Sequence, residues 1–304
     1  MKNCLVTFWL VLPLFLSGCG KRVDQPTIDL PTQLSNSLGD VMASIDEAGK
    51  GNQTITQYIP SSLMKTPATQ TASQKAFEFL LPKAEAATCG IADFSACVSN
   101  QVTRTFNGCT VGGYQLAGTV QMAWSGGTNC TLATTGQNIH IVPNYSVSTE
   151  SATLNVTKSG SIGILLTWIS GAGASQVFQY SNDGIHRVIS SGNTVLFDIT
   201  TKTSGNITVT GDARGGATPR SMSGGGITVT NGVNLETCNF TIGSALSWGL
   251  TNCNCPTSGS WTGSCTDTGA YTVSITACGA GTVSYVDGGV NKSEAIAFDR
   301  CVAN

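Results

Sequence analysis

The chain has 304 residues, of which 11% are charged, with 12 cysteines and 36 glycines. Fifteen Lys and Arg against 17 Asp and Glu give a formal charge of −2. This excludes a polybasic nucleic-acid binder, which needs clustered cations to neutralise phosphates. A hydrophobic share of 40% excludes a charged disordered chain. The cysteine count argues against a cytosolic enzyme, where thiols are kept reduced.

Residues 1–18 read as an export signal. Lys2 supplies a positive start, and Leu5 to Leu16 carry no charge. That run is too short to cross a bilayer, which needs about 20 apolar residues. It closes on Leu16, Ser17, Gly18 and Cys19. These four residues resemble the lipobox of bacterial lipoproteins. The resemblance implies cleavage before Cys19, acylation of its thiol and of the new amine, and a membrane-held protein carrying palmitate-type chains. Gly20, where the family's sorting rule reserves Asp for inner-membrane retention, implies the outer membrane. Membrane lipid is then the first partner.

Residues 19–87 read as a lipid-anchored stalk. Pro26, Pro31, Pro60, Pro67 and Pro82 punctuate it, and no cysteine follows Cys19 within it. Leu34, Leu38, Val41, Met42 and Ile45 recur at helical spacing, with Gly49 as a stop. A second helical piece covers 73–81, ended by Pro82. Such pieces either dock, on a partner or on the domain itself, or leave a marginal tether. Short isolated helices are weak in water, which favours the tether.

Residues 88–304 read as one all-β domain, an antiparallel sandwich or barrel-like structure with disulfides. Its 217 residues hold only 18 charged side chains but 32 threonines and 31 glycines. Thr favours strands and Gly favours turns. Tyr114, Leu116, Val120, Met122 and Trp124 alternate with polar or small residues. Val177 to Tyr180 and Ile185 to Ile189 meet across a turn at 181–184. Further turns fall at Gly192-Asn193 and at Asn231-Gly232, the latter read as a hairpin into Val233–Glu236. Ile-Thr-Val-Thr occurs at 207–210 and 227–230, which alternating composition explains without a repeat. Gly224, Gly225 and Gly226 have no helix pattern after them and read as a turn.

Ten cysteines remain after Cys4 and Cys19. Four are early, at Cys89, Cys97, Cys109 and Cys130. Six are late, at Cys238, Cys253, Cys255, Cys265, Cys278 and Cys301. The 107 residues between Cys130 and Cys238 contain none. An even number in an exported chain implies disulfides, each adding roughly 2–4 kcal/mol. Cys253 and Cys255 share a strand face and require different partners. The loop-like stretch at 256–264 points to 255–265, and the strand-like runs 282–286 and 295–298 between Cys278 and Cys301 point to 278–301; the expected set is completed by 238–253, 109–130 and 89–97. Metal binding at Cys253 and Cys255 is disfavoured, because the spacing is short for a zinc motif and the chain has two histidines. No metal and no cofactor are expected.

Catalytic motifs are sparse. His140 and His186 sit in strand-like segments. No serine lies in a Gly-x-Ser-x-Gly elbow, and the acids fall mostly in turns. Of the tryptophans, Trp261 is the ligand-contact candidate, because it lies in a polar stretch between Cys255 and Cys265. The expectation is a lipid-anchored envelope or surface protein that binds, adheres or builds, with an envelope protein or glycan as partner and no nucleic acid. Alternatives are a carrier of apolar ligands inside a β-barrel, or a hydrolase using His140 or His186.

Overall fold

The computed structural model describes residues 38–39, 41–42 and 95–301. Exceptions are 112–113, 127–128, 131, 133, 149–151, 172–174, 212–218, 234, 250–252, 254, 267–268 and 299–300. Cys19, Cys89 and the second stalk helix lie outside the described residues.

The fold is all-β and every strand pairing is antiparallel. Two long strands open it, β1 (Gln101–Val111) and β2 (Tyr114–Trp124), and β2 pairs with β3 (Asn138–Ser148). Along β2, Leu116, Val120, Met122 and Trp124 are all buried, as the alternation predicts. On its other side β3 forks. Its first part pairs with β5 (Ile164–Ser170) and its last part with β4 (Thr153–Lys158). On this side Pro143 lies between the two parts and pairs with neither β4 nor β5.

From this fork two layers run side by side. The front layer continues from β4 through β7 (Ile185–Ser191), β8 (Thr194–Thr203) and β11 (Gly226–Asn231). The back layer continues from β5 through β6 (Val177–Asn182), β9 (Ile207–Thr210) and β10 (Ser221–Ser223). Both end on β12 (Thr237–Ser247), which pairs with β11 near its start and with β10 near its end. The ladder therefore closes into a circuit of ten strands. Inside lie Phe178, Tyr180, Ile199, Val209, Met222 and Phe240, each at most 4% exposed. A polar cluster joins them: Arg187 donates from Nη1 to Thr201 Oγ1 at 3.2 Å, and Asn182 donates from Nδ2 to the Tyr180 hydroxyl at 3.3 Å. Burial pushes the Tyr180 hydroxyl pKa up, and the Arg187 charge offsets part of that rise.

The chain builds the circuit by alternating hairpins and crossings. β5–β6, β7–β8, β9–β10 and β11–β12 are pairs within a layer. Between them the chain crosses from one layer to the other at 159–163, 183–184, 204–206 and 224–225. The turn at 181–184 is thus a crossing rather than a hairpin: β6 and β7 pair with other strands. Successive crossings bond to one another. Ser159 N donates to Gly184 O at 2.9 Å, Asp183 N to Gly163 O at 3.2 Å, and Ser204 N to Gly226 O at 2.9 Å. At Gly225 φ is +63°, and an added Cβ would sit 2.6 Å from Asn206 O, so only glycine fits there.

A buried isoleucine follows each crossing: Ile164, Ile185, Ile207 and Ile227, at intervals of 20–22 residues. The two Ile-Thr-Val-Thr segments both lie at strand starts in this way, β9 opening at Ile207 and β11 at Gly226. The Asn231-Gly232 turn also differs from expectation. Asn231 Oδ1 accepts from Val233 N at 2.8 Å, Asn231 N donates to Glu236 O at 2.9 Å, and β12 begins only at Thr237.

Beyond the circuit, β1–β2 form one wing. The other holds β13 (Ser258–Cys265), β14 (Gly269–Ala277), β15 (Ala280–Asp287) and β16 (Val290–Ala297) in a meander off β12. The disulfides brace the wings, with Cys238 reaching in from β12 of the circuit. Cys97–Cys130 braces the first wing; Cys238–Cys265, Cys253–Cys278 and Cys255–Cys301 brace the second. Cys109 is also disulfide-bonded. Cys253 and Cys255 do take different partners, and the late six pair among themselves, but the pairings read from loop length are corrected. Cys238 and Cys265 are cross-strand partners on β12 and β13, a neighbour relation that loop length does not report.

The described part of the stalk docks on this wing. Leu38, Val41 and Met42 are helical, at most 2% exposed, and belong to the same core as Trp261 and Phe298. Gly39 approaches Phe298, and its carbonyl oxygen lies 3.8 Å from the disulfide-bonded Cys255 Sγ. These residues are no free tether, because their apolar face covers the inner side of the sheet.

The first and second crossings are latched by one carboxylate. Asp183 accepts from Ile162 N and Gly163 N at 2.8 Å each and from Ser161 Oγ at 3.1 Å. Burial alone would raise its pKa, but these bonds outweigh it and hold the pKa below the ordinary value of 3.8. A lowered folded pKa contributes stability in full above the ordinary value and loses it as pH falls through the folded one. Asp183→Ala is expected to lower unfolding free energy by about 2 kcal/mol at neutral pH. The variant should also lose less stability than wild type on acidification below pH 3.8, both read from denaturant titrations.

Candidate binding surface

The outer face of the front layer and second wing is built by strand alternation. The strands turn most of their apolar residues inward and many of their Ser and Thr outward, Thr201 of β8 being an inward exception. Register aligns these into rows. One row runs Thr157, His186, Thr200, Thr230, Thr237 from β4 to β12. A second runs Thr241, Thr262, Thr272, Ser284, Ser293 from β12 to β16. A third runs Ser244, Ser260, Ser274, Thr282.

Neighbouring hydroxyls in these rows bond to one another. Ser244 and Ser260 oxygens lie 2.9 Å apart, Thr230 and Thr237 3.3 Å, and Thr241 and Thr262 3.4 Å. Thr228 Oγ1 donates to Asn239 Oδ1 at 2.7 Å. The rows therefore have fixed orientation before any ligand arrives. Rows repeat at the roughly 4.8 Å spacing of strands, giving hydroxyls and methyls in alternation with little charge. This chemistry suits neutral polyols and glycans, or another polar sheet face. It does not suit phosphate-rich ligands.

His186 sits in the first row. Its Nε2 lies 2.7 Å from Asp198 Oδ1, a pair that orients the imidazole. Both are partly exposed. Among the described residues, no serine hydroxyl hydrogen-bonds to either histidine. His140 lies elsewhere, on the part of β3 that pairs with β5 of the back layer. The two histidines thus lie on different strands of the circuit, and among the described residues no nucleophile–base–acid arrangement assembles around either.

Trp261 is not a surface contact. It lies on β13, fully buried, between β12 and β14. The polar residues around it in sequence are its outward-facing neighbours, and the same-face neighbours are Gly259 and Gly263. These glycines are closed in by β12 backbone: an added Cβ would meet Leu246 Cα at 2.7 Å and Asn239 O at 2.0 Å. Trp124 and Trp248 are buried too. Cys253 and Cys255 are in disulfides and offer no thiolate to a metal. Glu236, Cys238 and Cys265 cluster within metal-ligating range, but the two sulfurs are bonded to each other.

The hydroxyl rows were missed as a site in the sequence because each strand alone looks like an ordinary half-buried strand. Only the register shows that the hydroxyls line up across neighbouring strands. No family model, curated protein or solved structure matches this chain.

Trp261→Ala should act as a core deletion. It is expected to lower unfolding free energy by about 3–5 kcal/mol in a denaturant titration. A change in ligand binding at unaltered stability would return Trp261 to the surface role.

Proposed function

We propose that this chain is an exported bacterial lipoprotein, held at the outer membrane through acylated Cys19, whose β domain binds, adheres or assembles in the envelope without catalysis. The observation that carries the binding reading is the pre-oriented hydroxyl face of the second wing. Support for export comes from disulfides in both wings, which persist in oxidising compartments. The lipobox resemblance supports the anchor. Several acyl chains at roughly 0.8 kcal/mol per buried CH₂ hold a protein stably where one chain does not. Envelope glycans or envelope proteins are the expected partners.

Two measurements test this reading. Cys19→Ala should abolish acylation and move the protein from membranes to the soluble fraction; unchanged retention sinks the anchor. For the surface, the full chain in detergent is screened against envelope glycans and isolated envelope proteins. Replacing Thr241, Thr262 and Thr272 together by Val should weaken any binding found while leaving the far-ultraviolet circular dichroism unchanged. Binding that ignores this triple change, or a screen without binders, contradicts the reading.

A further inference from the structure

β16 is an edge strand. It pairs with β15 on one side, and no described residue pairs with its other side. Residues 290–295 are exposed on both faces. The strand follows a two-residue turn of Gly288 and Gly289, with φ of +57° and +82°, closed by the pair Asp287 and Val290. In such a hairpin the flanking pair exchanges both hydrogen bonds, and bonded pairs then alternate. Val290, Lys292 and Glu294 therefore spend their backbone groups on β15. Asn291, Ser293, Ala295 and Ala297 point theirs away from it.

Proteins commonly defend such edges with charge. Here the charges are Lys292 and Glu294, placed symmetrically about Ser293. This symmetry makes the edge complementary to itself. When a second copy lies antiparallel with Ser293 opposite the partner's Ser293, Lys292 faces the partner's Glu294, and the reverse pair forms too. Val290 faces the partner's Ile296, and Asn291 faces the partner's Ala295. The outward backbone groups of 291, 293 and 295 all fall in bonded pairs, as an antiparallel ladder requires.

Other registers fail. Sliding by two residues one way sets Lys292 against the partner's Lys292. Sliding the other way sets Glu294 against the partner's Glu294. Like charges directly opposite destabilise a ladder. We propose that β16 is a self-pairing edge, through which two copies join by a two-fold antiparallel β16–β16 contact centred on Ser293.

The hairpin's own contacts leave room for this. Lys292 bonds to Asp287, and Tyr285 donates to Glu294 Oε1. An ammonium has further protons to donate and the carboxylate a second oxygen to accept with. The contact also extends the outer face: the row ending Ser284, Ser293 would continue into the partner's Ser293. A two-fold contact closes on itself and yields dimers rather than filaments.

Sedimentation of the full chain in one detergent tests this, with wild type, K292E, E294K, the double K292E/E294K, and an equimolar mixture of the two single variants. Wild type should dimerise. Each single variant should dissociate about tenfold or more readily, since both cross-strand pairs turn repulsive. The double variant restores opposite charges and should dimerise again. The mixture should form heterodimers for the same reason. Acyl-chain association is common to all samples and cannot mimic this pattern. The proposal is overturned by a monomeric or filamentous wild type, by single variants that dimerise as wild type does, or by a double variant and a mixture that both stay monomeric.

Discussion

Four crossings of the chain between two layers, stacked and hydrogen-bonded to one another, are the constraint on which the rest of the structure depends. A hairpin can form locally, but a crossing places consecutive strands in different layers and leaves each to find partners elsewhere. β6 and β7 are joined by two residues yet share no ladder. The crossings work only if they fit against one another, which is why glycine recurs in them and why Asp183 reaches from the second into the first. Once stacked, they set the register of eight strands, and β3 and β12 close the circuit by forking.

Closure explains where the cysteines are. Among the described residues every disulfide has a cysteine in a wing, and only Cys238, on β12, belongs to the circuit. The cysteine-free stretch between Cys130 and Cys238 spans the strands from β3 to β11. A closed circuit exposes no ladder edge and buries one face of every strand, so topology supplies its restraint. The meander β13–β16 is open at one edge, and residues outside its ladder share its core: Leu38, Met42, Trp248, Phe298 and Cys301. Disulfides tie Cys253 to Cys278 and Cys255 to Cys301 in this wing. The wing so braced presents the hydroxyl rows at its outer face and the free edge β16 at its end.

Much of the fold was legible in the sequence for local reasons. The alternation along β2, the turn at Gly192-Asn193 and the all-β class follow from period-two patterning and turn chemistry. What was not legible is relational. A turn signal at 181–184 reports backbone dihedrals and is silent on whether the flanking strands pair, so a crossing read as a hairpin. Trp261 looked exposed because its sequence neighbours are polar, but on a strand those neighbours occupy the opposite face. Loop length favoured short cysteine pairings, while strand order decided them. The stalk residues Leu38, Val41 and Met42 carry a clear apolar stripe, but Phe298 and Cys255, which Gly39 of the same helix approaches, are far away in sequence. The hydroxyl rows needed register, which no single strand carries.

The central claim is that the circuit is held by topology and the second wing by disulfides. Amide hydrogen exchange on the oxidised chain and on the chain reduced by a dithiol separates the two. Reduction is expected to remove protection from β13–β16 while β5–β11 keep theirs. Equal loss of protection in both regions, or retention in the wing after full reduction, would contradict it.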